Sequence, residues 1–289
     1  MVQLVTSPWR RTVRDVFASV RRDMLIVCPF IKTSEAEWVC EILTAGPSIS
    51  RLRLQVLTNV RSDSVLNGSL DIDALRTFTE MVPNTSIINL PRLHAKVYVA
   101  DNKSAALGSA NLTPAGLDSN YEYGVAFDDP ALVSRIRNDL EGYARVGNSL
   151  APEVLADLAA LGRDLASEYE EFQRSAKASL RRRFTQKLRS ANYEFLRAQV
   201  GSRSANSLFS DAILYLLSKG PLTTQELHPR IQRLLSDLCD DTVELIINGE
   251  RFGKRWKHGV RNAQQFLKKS GVIAFDGRRW SLRQRQRSA

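Results

Sequence analysis

Two short segments of the sequence carry side chains that together suit phosphoryl transfer. His94 and Lys96 are two residues apart in an otherwise apolar run, and Ser109 and Asn111 are two residues apart after Gly108. In an extended strand, residues i and i+2 project from the same face, so each pair would present its polar groups side by side. An ammonium, a hydroxyl and an amide can donate to the non-bridging oxygens of a phosphate while a neutral imidazole attacks phosphorus. The predicted catalytic residues are therefore His94, Lys96, Ser109 and Asn111.

The spacing of these residues resembles the HKD signature of the phospholipase D superfamily. The pattern is H-x-K, four residues, D, six residues, G-S-x-N, and Asp101 and Gly108 occupy its remaining positions. The continuation NLTPAGLDSNYEYGV is similar to the segment that brings a glutamate to the site in that family, here Glu122. The resemblance, which covers residues 1–150, implies that Glu122 orients His94 by accepting a hydrogen bond from its second ring nitrogen. Asp101 and Gly108 are predicted to be structural residues near the site, with Asp101 in a turn.

The resemblance also implies a mechanism and an assembly. Members of the family act by two in-line displacements through a phosphohistidine, without a metal, and need two such motifs in one site. The other two histidines, His228 and His258, have no lysine two residues later, so one chain supplies half a site. We therefore expect a two-fold homodimer in which one His94 attacks phosphorus and its symmetry mate protonates the leaving oxygen. No metal and no cofactor are expected.

Alternating strands and helices over the first 150 residues predict the scaffold for these side chains. The order predicts an α/β domain at residues 1–150, with a central sheet flanked by helices, and the resemblance implies that this domain is phospholipase D-like with a mixed sheet. Residues 151–200 are rich in alanine and charge, with apolar positions at helical spacing, which predicts a helical connector. Helices are predicted at 9–22, 35–45, 71–81 and 130–146, and strands at 25–31, 53–58, 86–90, 93–99, 104–108 and 121–127.

The last third of the chain differs in charge and predicts a second domain. Residues 1–150 carry 16 basic and 16 acidic side chains, whereas residues 201–289 carry 16 basic and 8 acidic ones. Three predicted helices, at 208–218, 223–237 and 255–269, precede two short strands at 272–275 and 279–282. This order is typical of a winged helix-turn-helix, and we predict a DNA-binding domain of that type at 201–289. A solvated basic tail and a protein-binding winged helix are the alternatives.

The helix predicted at 255–269 is buried on one side and rich in hydrogen-bond donors on the other, as a helix in the major groove requires. The stretch RFGKRWKHGVRNAQQFLKKSGVIAFDGRRWSL also resembles the winged-helix domain of Mrr-type restriction proteins. Arg278 and Arg279 on the following turn could reach backbone phosphates. The candidate DNA-binding residues are Lys254, Arg255, Lys257, His258, Arg261, Gln265, Lys268, Arg278 and Arg279.

These observations favour a metal-independent DNA endonuclease of a bacterial restriction or phage-defence system. Its expected partners are DNA, a second copy of the chain and other subunits of a defence system. The alternative is a DNA-recognition subunit whose phospholipase D-like domain is silent or regulated. A third hypothesis, a phosphatidyl-lipid hydrolase, finds no membrane-targeting feature in the sequence.

The expected location is the cytoplasm. The longest apolar runs are far shorter than a membrane span, and the N-terminal residues lack the apolar region of a secretory signal. The three cysteines, Cys28, Cys40 and Cys239, form neither a C-x-x-C pair nor a zinc-binding spacing, which fits reduced and mostly buried thiols.

Overall fold

The chain divides into two compact units, Met1–Gly201 and Ser202–Ala289, in a computed structural model of the protein. The structure describes residues 2–46, 49–174, 183–184, 186–188, 190–191, 194–195, 204–235, 238–247 and 249–283. Much of the predicted connector after residue 174, and the first residues of the second predicted domain, lie outside the described residues. Each unit is therefore considered by itself.

The first unit is built on an eight-stranded mixed sheet with the order β1-β7-β6-β5-β2-β3-β4-β8. Strands β2, β3 and β4 are parallel to one another, and every other neighbouring pair is antiparallel. The predicted α/β fold with a central mixed sheet flanked by helices is confirmed. The strands are β1 Val2–Thr6, β2 Asp23–Val27, β3 Arg53–Thr58, β4 Asn84–Asn89, β5 Lys96–Ala100, β6 Ser104–Gly108, β7 Tyr123–Phe127 and β8 Asn148–Leu150.

Helices of this unit cover the sheet on both faces. Helices α1, α2, α4 and α6 contribute to one core together with Tyr98, whereas α5 contributes Val133 and Leu140 to a second core with Val97 and Val99. Strand β5 alternates between these two cores and is buried on both sides, which explains its almost continuous apolar sequence. The helices are α1 Arg10–Ser19, α2 Thr33–Thr44, α3 Ser62–Leu66, α4 Ile72–Met81, α5 Pro130–Ala144 and α6 Pro152–Arg174.

The main difference from the predicted elements lies where the motif begins. A strand was predicted over 93–99, but β5 starts only at Lys96. Arg92 has a φ of 65°, in the left-handed region, and the Leu93 amide donates to the Leu90 carbonyl at 3.1 Å. This tight turn occupies the residues before the strand, so His94 lies on the connection that leads into β5.

The described part of the second unit contains three helices and two β-hairpins. The helices are α7 Ala205–Ser218, α8 Thr224–Leu234 and α9 Arg255–Lys269, and the strands are β9 Glu244–Ile247, β10 Glu250–Lys254, β11 Ile273–Phe275 and β12 Trp280–Leu282. Helix α8 begins with a capping box in which Thr223 and Glu226 bond each other's backbone amides. The hairpin β9–β10 was not predicted, because its side chains are mostly exposed and do not alternate between apolar and polar.

Within the parts of the chain that the structure describes, no helix is both long and apolar enough to cross a bilayer.

Candidate active site

Strands β5 and β6 bring the two halves of the motif to one end of the sheet. Lys96, the first residue of β5, is directly opposite Gly108, the last residue of β6. His94 precedes β5 by two residues and is exposed, whereas Ser109 and Asn111 follow β6. The sheet register therefore places the histidine, lysine, serine and asparagine of the motif around a single strand end.

Lys96 is buried beneath the exposed imidazole, with 6% of its surface accessible. Its Nζ donates to the His94 carbonyl at 2.8 Å and lies 3.2 and 3.3 Å from the two ring nitrogens, Nδ1 and Nε2. Burial lowers the pKa of the Lys96 ammonium, and the negative charge of Glu122 opposes that shift. Lys96 thus brings its Nζ next to the imidazole of His94.

Glu122 lies beside Ser109 and is held from three directions. The Ser109 hydroxyl donates to Glu122 Oε2, and the Asn120 side chain donates to Glu122 Oε1 at 3.1 Å. The Glu122 amide donates to the Ser7 hydroxyl oxygen at 2.6 Å. Glu122 was predicted to accept from His94, but in the structure its carboxylate accepts from Ser109 and Asn120 instead. The reason is the strand register, since Ser109 also accepts from the Tyr123 amide at 3.1 Å and so sits next to the residue after Glu122.

The backbone around Asn111 is held in place by two buried groups, the Cys28 thiol and the Tyr98 hydroxyl. The Cys28 thiol lies 3.7 Å from Asn111 Oδ1, and it accepts from the Leu112 amide at 3.2 Å. The Tyr98 hydroxyl donates to the Ala110 carbonyl at 3.0 Å. Burial raises the pKa of the Cys28 thiol, so the thiol stays protonated and acts as a neutral packing and donor group. These contacts fix the backbone that carries Asn111.

Gly108 allows an indole to pack directly on the strand end. A Cβ on Gly108 would lie 2.3 Å from the Trp9 ring and 2.9 Å from the Tyr123 carbonyl oxygen. Gly124, its partner across β6 and β7, is equally crowded, with the Leu107 carbonyl oxygen at 2.3 Å and the Trp9 ring at 2.5 Å. Gly108 therefore lies at the site, in a position that has room for glycine and for no larger residue.

Several supporting residues were missed by sequence reasoning. Ser7, Trp9, Cys28 and Asn120 hold the site but come from three separate places in the chain, and nothing in their local sequence indicates a role. Gly124 left a signal, because a glycine inside the strand-like run YEYGVAF indicates close approach of another group.

The placement of Asp101 corrects the prediction that it lies near the site. Asp101 follows the last residue of β5, at the opposite end of that strand from Lys96. Five residues separate the two, about 16 Å at the usual strand rise of about 3.3 Å per residue. Asp101 has a φ of 50°, and its carboxylate accepts from the backbone amides of Arg21, Arg22 and Asp23, each at 2.9 Å. It is therefore a turn and hydrogen-bonding residue, but of the far end of the sheet.

The candidate DNA-binding residues all lie in the second unit, on or beside α9. Trp256, Val260, Ala263 and Leu267 are buried, so this face of the helix packs inward as predicted. Arg255, Arg261, Gln265, Lys268, Arg278 and Arg279 are exposed, and Lys254, Lys257 and His258 are partly buried.

Three of the candidate DNA-binding side chains, Lys268, Lys254 and His258, contact other groups of the second unit. Lys268 Nζ lies over the Phe275 ring of β11, 5.8 Å from its centroid, so the donor-rich side of α9 adjoins the β11–β12 hairpin. Lys254 forms an ion pair with Asp241 at 3.1 Å. His258 contributes less than expected to a free surface, since its Nε2 is already 2.7 Å from the Phe252 carbonyl oxygen.

A glutamine amide can read an adenine edge, and the structure separates the two adjacent glutamines of α9, Gln264 and Gln265. Gln265 is exposed, but Gln264 is buried with 2% of its surface accessible. A buried amide cannot reach a base edge, so only Gln265 keeps that possibility.

The described residues contain no group of three or more His, Cys, Asp or Glu side chains arranged to hold a metal ion. The side chains that meet at the strand end instead offer an imidazole for attack on phosphorus and a cation with polar donors for its oxygens.

One protein-family model matches the middle of the first unit. Residues 23–143 match a family model described as "Cardiolipin synthase, PLD-like domain", and this segment includes the whole motif and Glu122. No curated protein matches the sequence.

Solved structures of similar fold come from several bacteria. Nuc from Salmonella typhimurium, a phospholipase D family member, is 20% identical, with a TM-score of 0.43, over 52% of this chain and 97% of that chain. NucT from Helicobacter pylori is 17% identical, with a TM-score of 0.43, over 52% of this chain and 99% of that chain. Phosphatidylserine synthase from Haemophilus influenzae is 17% identical, with a TM-score of 0.45, over 60% of this chain and 45% of that chain.

Proposed function

We propose that the protein is a metal-independent DNA endonuclease that cleaves phosphodiesters through a covalent phosphohistidine at a homodimer interface, and the match of residues 23–143 to a PLD-like domain model supports this. The PLD-like domain supports a phosphodiesterase-type enzyme. The observation that carries the proposal is the pairing of Lys96 with Gly108, which assembles His94, Lys96, Ser109 and Asn111 at one strand end.

The proposed reaction has two displacements at phosphorus. In the first, a ring nitrogen of His94 attacks, a P–N bond forms, and the P–O bond to the leaving oxygen breaks. The leaving oxygen takes a proton from His94 of the partner subunit, which is protonated at the start. In the second, water attacks phosphorus and gives a proton back to that imidazole, and the P–N bond breaks. The ammonium of Lys96 and the donors of Ser109 and Asn111 stabilise the oxygens as negative charge builds up.

A second copy of the chain is proposed because one chain offers one imidazole at this strand end. The remaining histidines belong to the second unit, where His258 contacts the Phe252 carbonyl and His228 packs edge-on against Trp256, with ring centroids 5.6 Å apart. A two-fold axis beside His94 would supply the general acid without any further residue of the same chain.

DNA is the proposed substrate because of the second unit. Its last helix exposes Arg261, Gln265 and Lys268 opposite a buried face, and the adjoining hairpin exposes Arg278 and Arg279. A basic helix next to a basic hairpin matches the groove and backbone contacts of a winged helix-turn-helix. The proposed setting in bacterial restriction or phage defence, with further subunits as partners, rests on the resemblance of residues 251–282 to Mrr-type proteins.

The test is cleavage of supercoiled plasmid at low salt in the presence of EDTA. We expect nicked or linear products from the wild-type protein and none from His94→Ala. His228→Ala serves as a matched control, because it removes a histidine of the second unit and should leave cleavage intact. A strict requirement for magnesium, or equal cleavage by His94→Ala, would contradict the proposal.

The two alternatives give different results in the same preparation. A DNA-recognition subunit would retain plasmid on a filter while the wild-type protein cleaves no form of DNA. A phosphatidyl-lipid hydrolase would release headgroup from phospholipid vesicles, and that release would depend on His94.

A further inference from the structure

A second concave site lies at the opposite end of the sheet from His94. It is a cleft of about 760 Å³ in the first unit, and the turn between β5 and β6 and the residues that precede β2 form part of its wall. Five cationic side chains line it, from Arg21, Arg22, Arg53, Lys103 and Arg137. The catalytic residues do not line this cleft, so the proposed reaction leaves it without a role.

The backbone around the cleft is fixed by hydrogen bonds with two side chains, Asp101 and Arg137. The Asp101 carboxylate accepts from the amides of residues 21–23, which holds the Arg21–Arg22 turn against the β5–β6 turn. The Arg137 guanidinium closes the other side, with Nη2 2.7 Å from the Asp101 carbonyl oxygen and 3.1 Å from that of Asp23. The two turns that carry Arg21, Arg22 and Lys103 are thereby held in place before any ligand arrives.

Two of the five cations are already engaged, and three are not. Arg53 pairs with Asp23 at 2.5 Å, and Arg137 donates to backbone carbonyls. The side chains of Arg21, Arg22 and Lys103 are exposed and form no hydrogen bond or ion pair with any described residue. Three unpaired cations on a fixed backbone around an open cleft are an arrangement that favours a phosphate-bearing anion, since Arg and Lys both donate well to phosphate oxygens.

We propose that this cleft binds a backbone phosphate of a nucleic-acid strand at a distance from the reacting phosphate. The proposal deepens the proposed function and rests on it for the identity of the substrate. The cleft and the catalytic residues lie at the two ends of β5, about 16 Å apart at about 3.3 Å per residue. A strand running along the sheet would contact the cleft about five base pairs from the cleavage position, at about 3.4 Å per base pair.

The experiment compares two triple variants of equal charge loss. Arg21→Gln/Arg22→Gln/Lys103→Gln removes the unpaired cations of the cleft. Arg11→Gln/Arg14→Gln/Arg135→Gln removes three exposed arginines of the same unit that do not line the cleft. Both are made in the full chain with His94→Ala, so that the probe is not cleaved, and binding of a fluorescein-labelled single strand is followed by anisotropy over a salt series.

We expect the cleft variant to bind at least about tenfold more weakly at low salt, and its plot of log affinity against log salt to lose about 0.7 from the slope, as for one phosphate contact. Each single-strand phosphate contact contributes about 0.7 to that slope. The control variant should keep the wild-type slope. Equal slopes for the two variants would overturn the proposal. The proposal would also be overturned if the cleft variant lost binding of a nucleoside monophosphate but bound the strand as tightly as the wild-type protein does. Lys103→Glu alone, which changes one exposed side chain, should weaken binding in the same direction if the triple variant does not fold.

Cleavage by the same triple variants with His94 intact separates this proposal from the proposed function. A raised KM with an unchanged kcat in the cleft variant supports the remote phosphate site. If the wild-type protein cleaves and the cleft variant cleaves with the same KM as the control, the phosphate site is wrong and the nuclease stands. If no variant cleaves but the cleft variant still loses strand binding, the phosphate site stands and the nuclease is wrong.

Discussion

Lys96 and Gly108 lie directly opposite each other on strands β5 and β6, and this pairing turns two distant sequence segments into one site. The two residues are twelve positions apart in the sequence. The β5–β6 hairpin accounts for this spacing, because its pairing starts with Ala100 opposite Ser104 at the turn and ends with Lys96 opposite Gly108. The register places Lys96 opposite a residue without a side chain, on which the Trp9 indole packs. The spacing of the motif is therefore a consequence of strand pairing as much as of chemistry.

The first prediction concerns that contact. Gly108→Ala should lower the free energy of unfolding by about 1–3 kcal/mol, because its Cβ would overlap the Trp9 ring and the Tyr123 carbonyl. Chemical denaturation measures the change. Gly46→Ala is the control, since its nearest atom would be the Leu43 carbonyl oxygen at 3.2 Å and we expect a change of less than about 0.5 kcal/mol. Equal losses in the two variants would contradict the packing described for Gly108.

The second prediction concerns the charge on Lys96. Because burial lowers its pKa, the ammonium should lose its proton at a lower pH than an ordinary lysine, for which the value is about 10.4. The rate of cleavage should therefore decline on the alkaline side below that pH. Lys96→Arg should cleave more slowly but move the decline to higher pH, since a guanidinium keeps its charge.

Lys32→Arg is the control for this pH profile. It keeps the charge of a residue that pairs with Asp71 at 2.9 Å, so we expect the wild-type profile. A profile that is identical in wild type and Lys96→Arg would show that the decline does not come from Lys96.

The third prediction separates the structural part of the motif from the catalytic part. Asp101→Ala removes the acceptor of three backbone amides and leaves alanine with a φ of 50°, so it should cost about 1–3 kcal/mol of unfolding free energy. Asp101→Asn should cost less, because one oxygen remains and asparagine tolerates the left-handed region. The kcat of the folded protein should stay close to that of wild type in both. A large loss of kcat in Asp101→Asn without loss of stability would argue for a direct role in the reaction.

The fourth prediction uses two adjacent glutamines of α9. Gln264 is buried, and its Nε2 has no hydrogen-bond partner in the described structure, so Gln264→Met should raise the free energy of unfolding by about 1 kcal/mol. DNA affinity should not change. Gln265→Met should leave stability unchanged and lower DNA affinity, since Gln265 is on the exposed side. A loss of DNA affinity in Gln264→Met, with none in Gln265→Met, would contradict the assignment of the DNA contact to the exposed face of α9.

Sequence patterns were sufficient for the elements that are amphipathic or buried on both sides. Strand β5 and helix α9 were both predicted from the spacing of their apolar residues, to within three residues at either end. Strands β1 and β8 were not, because β1 buries only Val5 and β8 is three residues long. Short edge strands depend on their neighbours for pairing, and a single segment of sequence does not contain that information.

The candidate site was predicted from residue types, but its supporting contacts were not. The motif indicated His94, Lys96, Ser109 and Asn111, which the register of β5 and β6 brings to one strand end. Glu122 was assigned the wrong hydrogen-bond partner within the chain, and Asp101 the wrong end of the sheet. The error for Asp101 comes from inferring distance from motif membership, whereas a strand places residues five apart at its two ends. The error for Glu122 comes from the register of β6 and β7, which places Ser109 beside Tyr123.

The most direct test of the account is a search for the covalent intermediate. A DNA strand with radiolabelled internal phosphates is mixed with the protein, quenched with alkali and run on a denaturing gel. The account predicts label that migrates with the wild-type protein, is released by acid as expected for a P–N bond, and is absent from His94→Ala. DNA cleaved by the wild-type protein with no protein-bound label at any time, or label that persists in His94→Ala, would contradict it.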